Sequence, residues 1–245
     1  MKKIIEIASY PKCGNTWMRQ LIANTFDLNV NTDVPDVHQQ KENTKELMAK
    51  VSLADDTYFY KSHLLDNQTM NPDKIIYIYR HPLDVFFSSL NYFYIRENVK
   101  NFKDEKLKSV EQIYKDGEMP YYFDAFNDNL GKEYYRGLLG DASDYSNYVK
   151  SALSNPKIIK IRYEDLVDNP ESTFKNLLGQ ISPDFEVQLP ESLFEDVNAV
   201  TKNSKKAFFW KAGKETYKEF LSTKQIELFN DKHHDLLQAL GYYSD

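Results

Sequence analysis

Apolar and polar positions follow two regimes along the chain. Short runs rich in Ile and Tyr, at residues 4–8, 57–61, 74–79 and 157–162, show no strict alternation, as strands buried on both faces tend to. Between them the apolar positions recur at helical spacing. Residues 16–26 set Trp17, Leu21, Ile22 and Phe26 on one side, predicting an amphipathic helix. A helix over 82–95 opens with Pro82 at its first position and Asp84 in its first turn, where a fixed φ and a negative charge both fit. Ser222 and Gln225 have capping-box spacing. Ile226, Phe229, Leu236 and Leu240 then continue one last helix, with Gly241 as its C-terminal cap. Strands alternating with helices predict an α/β fold with a central parallel sheet flanked by helices. Residues 96–141 are charged, Tyr-rich and poor in strand signal. They read as a helical or irregular insertion, so the expectation is a single domain over 1–245.

Composition narrows the functions. With 37 acidic against 31 basic residues the net charge is −6. That disfavours nucleic acid, which needs a broad basic face. A core can absorb most of the 18 Tyr and 15 Phe, yet a flat organic ligand would also suit such a supply. Cys13 is the single cysteine, so no intrachain disulfide forms, which fits a reducing compartment. The start lacks the apolar core of a secretory signal, and no apolar run reaches about 18 residues. The expectation is a soluble, cytoplasmic protein with no membrane partner.

Three strand ends carry candidate chemistry. The first is S-Y-P-K-C-G-N-T-W, residues 9–17, between the first strand and first helix. Backbone N–H groups and a helix N-terminus converge on such a turn and suit phosphate or sulfate. The usual triphosphate loop, G-x-x-x-x-G-K-[ST], is absent: Lys12 precedes Gly14, and no glycine-rich arch is present. The turn is too short to wrap a triphosphate but suits one 5′-phosphate. Alone, it reads equally as a plain turn with an exposed lysine. Second, Arg80 ends a strand and Ser88 lies about two turns into the next helix, a fork and a hydroxyl suited to another phosphate; ion pairing and helix filling explain them equally well. Third, in F-Y-K-S-H (59–63) Lys61 and His63 share a side of an extended segment, as a charge stabiliser and a base would, although a lone histidine is usually just a satisfied polar residue.

Together the motifs resemble the sulfotransferase family that uses 3′-phosphoadenosine 5′-phosphosulfate (PAPS), in its cytosolic-type and bacterial form. The family's Y-P-K-[SA]-G-[TN]-T-W is matched by Y-P-K-C-G-N-T-W at 10–17. Its R-[ND]-P-x-D-x-x-x-S is matched by R-H-P-L-D-V-F-F-S at 80–88, its K-[ST]-H by 61–63, and its Y-E-D-[LM] by Y-E-D-L at 163–166. The resemblance implies a P-loop-kinase-like fold and a PAPS donor leaving 3′,5′-ADP, with no metal. It assigns Lys12, Cys13, Gly14, Asn15, Thr16 and Trp17 to the 5′-phosphosulfate and adenine, Arg80 and Ser88 to the 3′-phosphate, and Tyr163 to the adenine side. His63 would be the general base, with Lys12 and Lys61 as the catalytic cations.

One segment departs from the pattern. Where the family has R-K-G-x-x-G-D-W-K-x-x-F, this chain reads F-W-K-A-G-K-E-T-Y-K-E-F at 209–220. Tyr217, Lys218 and Phe220 match, but no arginine does. Lys211, Ala212 and Gly213 are the expected 3′-phosphate residues, with Lys214 assisting, or else Trp210 begins the match. A flexible charged loop is the other reading. The acceptor is expected to be a small hydroxyl compound, aromatic or apolar, walled by 30–56 and 90–140; a homodimer is left open. A phosphate-loop nucleotide kinase and a non-catalytic nucleotide-binding relative are the competing functions. His233 and His234 are adjacent in a helix and do not face one metal.

Overall fold

A computed structural model of the protein describes residues 3–37, 57–66, 70–95, 108–182, 188–203, 211 and 213–243. The described elements run β1 (Lys3–Ser9), α1 (Asn15–Thr25), β2 (Thr57–Ser62), β3 (Lys74–Tyr79), α2 (Pro82–Ile95), α3 (Val110–Lys115), α4 (Met119–Asn129), α5 (Lys132–Leu139), α6 (Tyr145–Leu153), β4 (Ile158–Arg162), α7 (Tyr163–Asp168), α8 (Pro170–Ile181), α9 (Leu193–Asn203), α10 (Thr223–Lys232) and α11 (His234–Ala239). The chain divides into two compact units, 1–80 with 150–203 and 81–149 with 204–245.

The first unit holds the sheet. Its order is β2-β1-β3-β4, and every pairing is parallel, with Ile5 opposite Phe59, Ile7 opposite Ile76, and Ile76 opposite Ile159. The expected α/β class and parallel sheet are therefore present, with all four runs in place. Period-2 geometry sends Ile5, Ile7, Phe59, Ile76, Ile78, Ile159 and Ile161 to one face. There they pack with Met18, Leu21 and Ile22 of α1, Phe174, Leu177 and Ile181 of α8, and Leu193 and Val197 of α9. Phe26, just past α1, stacks on Phe59 at 5.6 Å. Glu6 and Tyr60 are paired in register and buried. Burial first, and the Glu6 carboxylate second, push the Tyr60 phenol far above its ordinary pKa.

The second unit is helical. Phe86 and Phe87 of α2 stand in an aromatic core: Phe86 lies 4.8 Å from Phe126, Phe87 lies 5.3 Å from Phe220, and Phe126 lies 6.2 Å from Phe229. Within the expected insertion, residues 110–139 form α3, α4 and α5, while 96–107 lie outside the described residues. The Ser222–Gln225 capping box is formed. The last helix, however, is two: His233 leaves helical geometry at φ −114° and ψ 26°. Its Nε2–H donates to Asn127 O at 3.0 Å and lies 3.1 Å from Asn127 Oδ1. Gly241, at φ +73°, closes α11: its N–H bonds Gln238 O and that of Tyr242 bonds Leu237 O, the Schellman pattern. Among the described residues no helix is long and apolar enough to cross a membrane.

Candidate active site

Each strand of the sheet delivers a candidate site residue just past its C-terminal end, where ligands of open parallel sheets bind. The turn 10–14 follows β1, His63 follows β2, Arg80 follows β3, and Tyr163 follows β4.

The turn after β1 is strained in a defined way. Lys12 has φ +72° and Gly14 φ +99°. A left-handed lysine costs roughly 1–2 kcal/mol, and such residues persist where the surroundings hold them. Here the hold comes from Arg80, whose Nη1 donates to Lys12 O at 3.3 Å. The Arg80 guanidinium in turn lies over the Tyr163 ring, 4.5 Å from its centroid. Gly14 is required twice over: a Cβ there would stand 2.7 Å from Tyr163 Cδ2. Gly14 is also the cap residue of α1, with no side-chain cap bond and no acidic residue in the first turn, an arrangement in which the first N–H groups of a helix suit an outside anion.

Asn15 is a girder. Its Nδ2 donates to Ile7 O at 3.3 Å and to Ser62 O at 3.0 Å, tying the helix start to the ends of β1 and β2. Trp17 meets Tyr163 edge-on at 6.0 Å. Cys13 is buried. Ser9 Oγ, Asn15 Oδ1 and Trp17 Nε1 are buried and make no hydrogen bond among the described residues. Buried polar atoms are nearly always bonded, so three of them around one turn fit a polar group held there.

His63 is oriented by its own backbone surroundings. Its Nδ1 lies 2.8 Å from Ser9 O. A carbonyl only accepts, so Nδ1 carries the hydrogen and Nε2 is the basic nitrogen. Lys61, two residues earlier, is buried and paired with Asp36 at 2.7 Å. Burial lowers the lysine's pKa, and Asp36 opposes that. Sequence reasoning had not singled out Asp36, which no motif marks.

The structure thus gathers Lys12, Cys13, Gly14, Asn15, Thr16, Trp17, Lys61, His63, Arg80 and Tyr163 in the first unit. Ser88 and the 211–213 segment belong to the second. Ser88 is buried on α2. Lys211, at φ +36°, pairs with Glu219 and lies 4.8 Å from the Phe220 ring centroid. Ala212 and Trp210 lie outside the described residues. Asp84 does more than complement its own helix: it accepts the Glu215 N–H and the Thr216 hydroxyl, both at 2.7 Å. His81 caps α2 through the Leu83 N–H at 3.3 Å and stacks on Tyr217 at 4.7 Å. The foot of the 211–217 segment is therefore bolted to α2, a link with no local signal in the sequence.

Comparison with known proteins agrees with this fold. A family model described as a sulfotransferase domain matches residues 2–241. A flavonol 3-sulfotransferase from Flaveria bidentis is 28% identical over 202 residues, 73% of this chain and 56% of that protein, so the match spans little more than half of the relative. Among solved structures, mouse sulfotransferase SULT7A1 complexed with PAP aligns over 100% of this chain and 90% of its own, at TM-score 0.61 and 17% identity. Retinol dehydratase in complex with androsterone and PAP aligns over 96% and 80%, at TM-score 0.55 and 16% identity. At such identities these likenesses establish the fold.

Proposed function

The chain belongs to the sulfotransferase family, and from that premise we propose that it transfers a sulfuryl group from PAPS to the hydroxyl of a small phenol or alcohol. The observation that carries the reading is the convergence of the 10–14 turn, His63, Arg80 and Tyr163 at the ends of four adjacent strands. The PAP held by structural relatives supports PAPS as donor.

The backbone N–H groups of Gly14, Asn15 and Thr16, with the Thr16 hydroxyl, take the 5′-phosphate. Arg80 takes the 3′-phosphate, for which the family resemblance also names Ser88, Lys211 and Gly213, and Trp17 and Tyr163 border the adenine. Nε2 of His63 accepts the proton of the acceptor hydroxyl as its oxygen bonds to sulfur and the bridging S–O bond breaks on the opposite side. Lys12 neutralises the charge that gathers on the departing phosphate oxygen, and Lys61 steadies the transferring group. The products are the sulfate ester, 3′,5′-ADP and a proton. Positioning and electrostatics carry such a reaction without a covalent intermediate.

A transfer screen with labelled PAPS against phenols, alcohols, amines and sugars tests the reading, with calorimetry of 3′,5′-ADP against ATP–Mg alongside. Transfer to a hydroxyl acceptor and preference for 3′,5′-ADP are expected. Tight ATP binding with no preference for a 3′-phosphate would favour a nucleotide kinase. Nucleotide binding with no transfer across the screen would favour a non-catalytic relative.

A further inference from the structure

Lys61 and Asp36 are joined twice. Their side chains form the 2.7 Å ion pair, and their backbones form a parallel bridge. In that bridge the Lys61 N–H donates to Pro35 O at 2.8 Å and the Val37 N–H donates to Lys61 O at 2.7 Å. The lysine side chain is 6% exposed and the aspartate 30%. An ammonium so buried needs a carboxylate, because removing a partner from a buried pair leaves an uncompensated charge.

The segment bearing Asp36 is itself clamped. Arg19 on α1 donates to Val34 O through Nε and to Val30 O through Nη2. One continuous path thus leads from the helix that opens at Gly14, through Arg19 and the 30–37 segment, to Asp36, Lys61 and His63. Among the described residues, Asp36 favours the ammonium of Lys61 and Arg19 disfavours it; His63 lies two residues further on, just past the end of β2.

We infer that Asp36 is a positioning residue of the transfer reaction: through its double link it holds the Lys61 ammonium, as a cation, at the end of β2 beside His63, and Arg19 fixes the segment that carries it. The assignment of Lys61 to the active site comes from the proposed function, on which this inference rests. An edge-strand tie with no part in the reaction is the structural alternative.

The test compares wild type, Asp36→Asn, Asp36→Glu, Lys61→Ala and the Lys61→Ala/Asp36→Asn double variant in kcat/KM against pH, with 3′,5′-ADP affinity as control. Asp36→Asn should lower kcat/KM roughly tenfold or more, within the range of energies that couple contacting groups, and leave nucleotide affinity unchanged. Its alkaline limb should move down by about one pH unit or more, the shift a lost neighbouring charge brings. Asp36→Glu should restore much of both, and Asp36→Asn should add nothing once Lys61 is alanine. An unmoved alkaline limb, or an equal loss in the Lys61→Ala background, overturns the inference. Titration of Lys61 Nζ by 15N NMR decides it independently of turnover: a lower midpoint in Asp36→Asn supports it and an unmoved one overturns it. Absence of transfer by the wild type would sink the proposed function and leave that titration to judge the ion pair.

Discussion

Gly14→Ala probes the turn more sharply than any change of a charged group. The added Cβ meets Tyr163 Cδ2 at 2.7 Å, a distance real Cβ atoms essentially never show, and Cε2 at 3.0 Å, on a backbone at φ +99°. The backbone contributes a penalty of roughly 1–2 kcal/mol. Relief of the overlap displaces the Tyr163 ring from beneath the Arg80 guanidinium, now 4.5 Å away, a contact worth about 1 kcal/mol or somewhat more when buried. The sum is about 2–3 kcal/mol, which lowers Tm by roughly 4–12 °C for a chain of this size. Affinity for 3′,5′-ADP should fall too, because the turn, Arg80 and Tyr163 move together. Calorimetry and thermal unfolding read both effects. In a Tyr163→Ala background the overlap is gone, so Gly14→Ala should there cost only its backbone share. Unchanged Tm and unchanged nucleotide affinity in Gly14→Ala, or an undiminished cost beside Tyr163→Ala, would refute the close-approach argument.

Three further outcomes are expected. His63→Ala should lower kcat by roughly a hundredfold or more, the range for a lost general base, with calorimetric affinity for 3′,5′-ADP retained; near-full transfer would remove His63 from that role. Asp84→Ala strips the acceptor from the Glu215 N–H and the Thr216 hydroxyl and should destabilise by about 3 kcal/mol, since bonds to a charged group are worth about 1.5–3 kcal/mol each; a Tm within a degree of wild type would count against the bolt. Burial lowers the His233 pKa, with the Asn127 bond opposing. As pH falls through about 6.5 the unfolded chain therefore takes up the proton before the folded one does, and stability declines until the folded histidine also protonates. Thermal unfolding from pH 8 to 5 should show this slope flattened by His233→Gln, and an identical slope would exclude His233 as its source.

The strands were legible because buried parallel strands are short, apolar and unmixed with turn residues, and helix 82–95 because Pro82 can stand only at its start. The division of the last helix was not. Leu236 and Leu240 keep helical spacing across the break, and the interaction at His233 is with Asn127, 106 residues away. The candidate site divides in the same manner. Lys12, Gly14, His63, Arg80 and Tyr163 sit in short motifs at strand ends, where local order along the chain maps onto place. Asp36 and Asp84 act on residues 25 and 131 or 132 positions distant, so their partners follow from the fold alone. Asn15 lies between: its place in the turn was readable, its side-chain tie to Ser62 was not.

The sheet order also gives the proposed transfer a direction. Across β2-β1-β3-β4 the sequence of residues is His63, the Lys12 turn, Arg80 and Tyr163. With strands about 4.8 Å apart, that row extends roughly 14 Å. In-line transfer demands that the attacking oxygen and the leaving oxygen stand on opposite sides of sulfur. If the leaving oxygen is at Lys12, the base must lie beyond it on the side away from the nucleotide, and β2 is the strand on that side. The nucleotide then extends over β3 and β4, where Arg80 and Tyr163 stand, and the acceptor approaches over β2. The segment paired with that strand is 35–37, which places the Asp36–Lys61 pair on the acceptor's flank of the row. On the proposed transfer, the same parallel pairing that orders the strands would separate donor from acceptor, with the turn after β1 at the boundary between them.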